Sequence, residues 1–351
     1  MMNKYNDNIH NVNLEYIKPL YTPEKFMNMV PVKPEQIHTV FKSRKEIGDI
    51  INETSDKFLI LVGPCSIHDV QACLEYANKL KTLSDQVNDK IMIVMRTYFE
   101  KPRTTTGWKG FINDPNLNDS FDVHEGLKKA RGFLNQILHI GLPTATEFLD
   151  PFMPQYYGDL ISWGAIGART VESQTHRQLS SGLSMPIGFK NGTGGSVQIA
   201  IDAIIAAKNQ HVFLGIDEKG QTSVVKTSGN KYGHLILRGG KNGPNYDSKS
   251  VESAVNSLIE NELDPKLVID CSHGNSNKDH KNQSKVFKSI IEQKTNGQNA
   301  IFGVMLESHL NPGSQSIPSN PEDLKYGVSI TDQCIGWDET ENLIKWAYNE
   351  L

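Results

Sequence analysis

The sequence predicts an α/β protein built as a closed (β/α)8 TIM barrel, with an N-terminal extension and an inserted β-hairpin. Three observations lead there. Eight short apolar runs recur along the chain, separated by turn residues and amphipathic stretches. The runs are too apolar to belong to a one-sided sheet, as strands covered on both faces require. At or just beyond each run stands an ionisable side chain, the pattern expected where chemistry collects on the C-terminal rim of a barrel.

Taken in chain order, residues 1–56 form the extension. Pro19, Pro23, Pro31 and Pro34 suggest an extended arm ahead of a helical stretch at 39–52. The catalytic barrel is assigned to 57–351. Its strands are "FLILV" at 58–62, "IMIVM" at 91–95, "PTATE" at 143–147, "WGAIGA" at 163–168, "PIGF" at 186–189, "HLIL" at 234–237, "LVID" at 267–270 and "IFGVML" at 301–306. Helical patterns lie between them at 69–86, 123–140, 196–208, 250–262 and 281–294, the first opened by the capping residue Asp69. One interval breaks the rhythm. Residues 211–230 read as two short strands around a turn at Asp217 to Gly220, an inserted hairpin.

Composition narrows the function. Among 351 residues, 36 basic and 40 acidic side chains give a net charge of -4, which excludes the basic footprint of a nucleic-acid binder. No segment approaches the roughly 18 apolar residues of a membrane span, and the N-terminus lacks the pattern of a secretory signal. A cytoplasmic location is expected. Four unclustered cysteines argue against a disulfide framework and leave thiols available for chemistry.

The rim residues are Cys65, Arg96, Glu147, Arg169, Lys190, Arg238, His273 and Glu307, with Asp332 in the segment after the last strand. Singly, each has an ordinary reading: a lone Cys packs, a lone His is solvated, and Glu147 and Glu307 are ion-pair partners of the arginines. Gathered on one rim, they would be costly unless they held ligands or each other. They divide by chemistry. Thiolate, imidazole and carboxylate from Cys65, His273, Glu307 and Asp332 suit one borderline divalent ion such as Mn, Fe, Co or Zn. Arg96, Arg169, Lys190 and Arg238 suit a ligand carrying both phosphate and carboxylate. The loop "EKPRTTTGWKG" at 100–110 adds Lys101, Arg103 and Thr104 to Thr106, enough for a second phosphate. In "LVGPCSIHD" at 61–69, Cys65 and His68 are open to reading as a chelate, as a nucleophile with its base, or as unrelated neighbours.

At these residues the chain resembles the metal-dependent 3-deoxy-D-arabino-heptulosonate 7-phosphate synthases of the microbial type, which open the shikimate pathway. The likeness runs from about residue 57 to 337 and includes "GPCSIHD", "RTYFEKPRTTTGWKGFINDP", "SWGAIGART", "GFKNGT", "LILRGG", "DCSHGNSNKD" and "SITDQCIGW". It implies condensation of phosphoenolpyruvate with erythrose 4-phosphate and water, releasing phosphate. It also implies a role for each residue: Cys65, His273, Glu307 and Asp332 on the metal, and Arg96 and Lys190 on the phosphoenolpyruvate carboxylate. Arg169, Arg238 and the backbone at Ala168 take its phosphate, and Glu147 positions a water. Lys101, Arg103 and Thr104 hold erythrose 4-phosphate, with Lys101 or a metal-bound water transferring protons. His68 is then a neighbour of the metal site and not a ligand.

Members of that family bind an aromatic amino acid between barrel and hairpin. The matching positions are Phe148, Pro154, Gln155, Leu179, Leu183, Ser184, Phe213 and Gly215, with Asn8 from a partner subunit. Gly215 stands where phenylalanine-responsive members have Ser. Its missing side chain is expected to leave room for a phenolic hydroxyl, so tyrosine is the expected effector and phenylalanine the alternative. A homo-oligomer, dimer or tetramer, is expected. Two rivals stand beside this: another metal-dependent aldolase or hydrolase on the same barrel, and a catalytically silent aromatic-sensing subunit.

Overall fold

The computed structural model describes residues 9–351. Ten strands and ten helices are formed among them. Eight strands close a parallel barrel: β1 (Phe58–Gly63), β2 (Ile91–Arg96), β3 (Thr144–Glu147), β4 (Trp163–Ile166), β5 (Ile187–Lys190), β8 (Gly233–Leu237), β9 (Leu267–Asp270) and β10 (Ile301–Glu307), with β10 pairing back onto β1. The two others, β6 (Val212–Ile216) and β7 (Thr222–Lys226), form an antiparallel hairpin outside the barrel. The carboxylate of Asp217 accepts from the Lys219 and Gln221 amides and fixes its turn.

Apolar runs become strands here because both faces are covered. Phe58, Ile60 and Val62 pack outward against the helices, whereas Leu59 and Leu61 point into the barrel with Met92, Val94, Trp163, Ile236 and Met305. Trp163 fits this interior because its neighbour strand carries Gly188, where a β-carbon would lie 2.6 Å from the indole. The outer layer includes α3 (Val70–Val87), α4 (Val123–Ile140), α7 (Gln198–Lys208), α8 (Ser248–Glu260) and α9 (Gln283–Thr295). Asp69 caps α3 by accepting from the Ala72 amide.

The extended reading of the proline-rich arm is corrected. Two helices occupy it, α1 (Pro23–Met29) and α2 (Pro34–Ile51), each with proline in its first turn, where the missing N–H costs no hydrogen bond. Ile47, Ile50 and Ile51 of α2 join the cluster inside the barrel and stopper the end opposite the catalytic rim. Arg131 of α4, 2 % exposed, secures this arm: it donates to the Val30 and Tyr156 carbonyls and pairs with both Asp159 oxygens at 2.7 and 2.8 Å. No described helix is long and apolar enough to cross a membrane.

Replacing Arg131 with Ala strands the buried Tyr156 carbonyl and the half-buried Val30 carbonyl and releases the arm. Because Asp159 is partly solvated, the expected loss is about 2 kcal/mol, read as a lower urea midpoint with unchanged slope.

Candidate active site

The parallel barrel puts the C-terminal ends of all eight strands on one rim. Gly63, at φ +151°, turns the chain after β1 where a β-carbon would approach the Arg96 carbonyl at 3.0 Å, and Cys65 enters the mouth two residues on. Glu307 ends β10 and is clamped by Gln283, whose side chain donates to the Glu307 carbonyl and accepts from its amide, both at 3.0 Å. The segment carrying Asp332 returns beside β10, Ile335 donating to the Glu307 carbonyl at 2.9 Å.

Ligand atoms of Cys65, Glu307 and Asp332 therefore lie within 4.8 Å of one another. His273 Nε2 is 3.9 Å from Glu307 Oε1 and 3.9 Å from Asp332 Oδ2. His273 adopts φ +54°, unusual for a non-glycine residue, and is held there by its Nδ1, 2.9 Å from Asp270 Oδ2 and 2.7 Å from Ser272 Oγ. Ser272 Oγ gives its own proton to Asp270 Oδ1 at 2.7 Å and therefore accepts at His273, so Nδ1 carries the proton and the Nε2 lone pair faces the acids. The donor set fits a divalent ion: a thiol, an imidazole and two carboxylates converge, and buried Glu307 Oε2 has no hydrogen-bond partner.

Beside it, Lys101, Arg103, Arg169, Lys190 and Arg238 line one recess with Glu147, Ala168 and Asp332. An adjoining recess of about 700 Å³ adds Thr104, Lys241 and Lys278 to Arg103, Arg169 and Arg238. Arg96 is buried beneath, its Nη2 3.1 Å from Glu307 Oε1 and its guanidinium 4.0 Å above the Tyr98 ring; its Nε and Nη1 are unpartnered. Glu147 Oε1 is also buried without a partner, and a β-carbon at Gly167 would sit 2.0 Å from it. Two buried donor nitrogens of Arg96 and one buried acceptor oxygen of Glu147 are thus left without protein partners at the rim.

Charges on the rim tune one another. Burial opposes ionisation of Asp270, yet the Lys190 ammonium at 3.0 Å and His273 hold its pKa well below the usual carboxylate range. Burial, with Glu307 nearby, pushes the Cys65 thiol up to about 11, while Lys101 Nζ donates to its sulfur at 3.0 Å. Partial burial works against the charge of Lys101, but Cys65, Glu307 and Asp332 raise its pKa above the ordinary lysine value.

Of the residues singled out from sequence, Cys65, His273, Glu307 and Asp332 are brought together, and the cations meet beside them. His68 is not with them; its ring lies 6.0 Å from that of His309. Sequence reasoning missed Asp270, Lys241 and Lys278. Asp270 was hidden as the last letter of an apolar run, where an acid was itself the signal.

The effector positions divide. Pro154, Gln155, Leu183 and Ser184 line a cleft of about 490 Å³ with Met27, Phe41 and Glu218. Leu179 is buried, and Phe148 is buried against Tyr157, their rings stacked 5.9 Å apart. Phe213 and Gly215 share one face of the hairpin, paired with Val225 and Ser223. The room expected at Gly215 is partly used: a β-carbon there would meet Val225 Cγ2 at 2.9 Å. Asn8 lies outside the described residues.

Comparison with known proteins adds a likeness over nearly the whole chain. Residues 29–345 match the DAHP synthetase I family. The Tyr-sensitive phospho-2-dehydro-3-deoxyheptonate aldolase of Escherichia coli K12 is 49% identical over 345 residues, 98% of this chain and 97% of that protein. The Trp-sensitive enzyme of the same organism is 50% identical over 329 residues, covering 94% of each. A solved structure of phospho-2-dehydro-3-deoxyheptonate aldolase from Francisella tularensis SCHU S4 superposes with a TM-score of 0.94 at 48% identity, over 96% of this chain and 98% of that one.

Two outcomes follow from the ligand geometry. Because Cys65 holds its proton at neutral pH, binding of Mn²⁺ must expel it. Affinity measured by calorimetry should rise roughly tenfold per pH unit between pH 7 and 9, a slope that Cys65→Ser flattens. Asp270→Asn frees the imidazole from its carboxylate and should weaken Mn²⁺ binding by roughly 10- to 100-fold.

Proposed function

The chain belongs to the DAHP synthetase I family, and from that membership we propose that it condenses phosphoenolpyruvate with erythrose 4-phosphate and water. The products are 3-deoxy-D-arabino-heptulosonate 7-phosphate and inorganic phosphate, the first step of aromatic amino-acid biosynthesis. The observation that carries it is the meeting of a thiol, an imidazole and two acids beside a recess lined by five cations.

The residues divide the work by charge. Arg96 and Lys190 meet the phosphoenolpyruvate carboxylate, Arg96 offering its two unpartnered nitrogens. Arg169 and Arg238, with the Ala168 backbone, take its phosphate, and Glu147 orients the attacking water with its free oxygen. Lys101, Arg103 and Thr104 hold erythrose 4-phosphate; Thr104 already accepts from Arg169 at 3.3 Å. Cys65, His273, Glu307 and Asp332 hold one divalent ion, manganese, iron, cobalt or zinc. When bound, such an ion supplies a Lewis acid for the aldehyde oxygen. The enol carbon bonds to the aldehyde carbon, and Lys101 Nζ, kept protonated by its acidic neighbours, gives a proton to the oxygen that gains charge. Positive charge at the former enol carbon is quenched by water, and the resulting hemiketal expels phosphate.

Tyrosine is the effector, held between barrel and hairpin at the cleft lined by Pro154, Gln155, Leu183 and Ser184. Support comes from the Tyr-sensitive relative, 49% identical over 98% of the chain; the Trp-sensitive one, 50% identical over 94%, makes tryptophan the second reading. Residues 57–351 carry the reaction, while the segment before 57 and the hairpin at 211–230 frame the cleft. Val212, Leu214 and Val224 on the hairpin and Ile37 and Phe41 on α2 are exposed apolar residues, which suits a homo-oligomer, dimer or tetramer. The four free buried cysteines suit the cytoplasm. An intact ligand set speaks against a silent sensing subunit, and the cation-lined recess speaks against a simple aldolase.

Phosphate should be released from phosphoenolpyruvate only when erythrose 4-phosphate is present, and a chelator should abolish it. Millimolar tyrosine should inhibit where phenylalanine does not; inhibition by phenylalanine or tryptophan alone would reassign the effector.

A further inference from the structure

Tyr98 is a tyrosine that the proposed reaction does not use, and it is 1 % exposed. It stands two residues beyond the end of β2, where the Thr97 amide still donates to the Ala145 carbonyl of β3 at 2.7 Å. Because β2 and β3 pair Met95 with Thr144 and Arg96 with Ala145, carrying that register two residues further sets Tyr98 beside Glu147. Both point into the barrel: Tyr98 packs in the interior cluster with Val94, Ala145 and Trp163, and Glu147 follows Ala145 by two residues on the same face. The Tyr98 carbonyl accepts from the Ile67 amide at 2.9 Å, and the Arg96 guanidinium lies 4.0 Å from the centre of its ring, so backbone and ring are both held.

A ring accounts for those contacts; a hydroxyl does not. Phenylalanine would fill the same apolar space, whereas the Tyr98 hydroxyl is buried without a hydrogen-bond partner, a placement that costs free energy unless something fills the gap. Glu147 Oε1, its neighbour in register, is equally buried and unpartnered, and no bond joins the two. One water between them satisfies both. Burial raises the Tyr98 pKa; Arg96 opposes that rise and the Glu147 charge adds to it, so the phenol keeps its proton and donates, while an ionised carboxylate accepts.

We infer that Tyr98 is a further catalytic residue, its hydroxyl donating to the same water that Glu147 orients; the inference rests on the reaction proposed above. A water so held accepts from the phenol and donates one proton toward the carboxylate, which leaves its second lone pair free to meet the former enol carbon. As that lone pair forms the carbon–oxygen bond, one water proton passes to Glu147 and the other stays as the hydroxyl of the hemiketal. Tyr98 keeps its own proton throughout. Two partners fixed on adjacent strands restrict the water to one orientation before the reaction begins.

The test uses the full-length, metal-loaded enzyme and Tyr98→Phe, which keeps the ring against Arg96 and removes the hydroxyl alone. In that variant kcat should fall by roughly 10- to 100-fold with KM for both substrates within about twofold, because a displaced water slows the chemistry without weakening substrate binding. The urea midpoint should hold or rise, since the lost oxygen has no protein partner. A kcat equal to that of the wild type would overturn the inference. Because both groups hold one water, adding Tyr98→Phe to Glu147→Gln should cost less than about threefold more; the full loss repeated on that background overturns the shared water. A crystal structure of the wild type with Mn²⁺ and phosphoenolpyruvate needs no variant: it should show a water within about 3.2 Å of Tyr98 Oη and of Glu147 Oε1, and an empty gap overturns the inference even where Tyr98→Phe does not fold. Wild-type enzyme that releases no phosphate with both substrates present overturns the reaction reading instead, and is told apart because it appears before any substitution is made.

Discussion

Asp270 lies at the end of β9 with the Lys190 ammonium at 3.0 Å and His273 Nδ1 at 2.9 Å, and its side chain is inaccessible to solvent. Nearly every other feature of the rim depends on that placement. An isolated charge so deep would cost several kcal/mol, so acid, ammonium and imidazole must be ordered together. The acid takes the Ser272 hydroxyl proton, the hydroxyl in turn accepts from Nδ1, and the tautomer so fixed decides that Nε2 offers a lone pair to the neighbouring acids. The same carboxylate lies 3.0 Å from Lys190 Nζ, which lines the cation-rich recess. One buried side chain thus touches both the candidate metal ligands and the cation-rich recess.

The rest of the rim follows the same logic of provisional pairing. Arg96 spends one nitrogen on Glu307 and leaves two buried ones free; Glu307 accepts at one oxygen and leaves the other. Lys101 leans on the Cys65 sulfur. The Arg96–Glu307 pair balances two buried charges, and Lys101 donates to a thiol that keeps its own proton, which together make a dense set of ionisable groups tolerable. Rigid supports hold them in register: Gln283 on the backbone of Glu307, Ser272 on His273, and the absence of a β-carbon at Gly167 beside Glu147.

Much of this was legible from the chain. Strands covered on both faces leave an unbroken apolar signature, and a barrel forces the residues that end them onto one rim, so Cys65, Arg96, Glu147, Lys190 and Glu307 could be grouped without coordinates. The failures have physical reasons. Prolines read as punctuation in the arm are helix starters at Pro23 and Pro34, since a first-turn residue needs no N–H partner. Asp270 was absorbed into the apolar run it terminates. Gly215 looked like open space because sequence reports what a residue lacks and not that Val225 lies across the strand pair.

Regulation and catalysis are close neighbours in the chain. Glu147 is the last residue of β3, and Phe148, which follows it, stacks on Tyr157 at the edge of the cleft. Successive residues at a strand end point to opposite sides, so one faces the water site within the barrel and the other the layer outside. Glu100 repeats the arrangement four residues beyond Arg96, facing the 148–157 stretch while Lys101 faces the thiol. Two rim segments therefore each carry a residue toward the chemistry and an adjacent one toward the cleft. A shift of either backbone by a fraction of an ångström is felt on both sides, because close-packed interiors transmit displacement rather than absorb it.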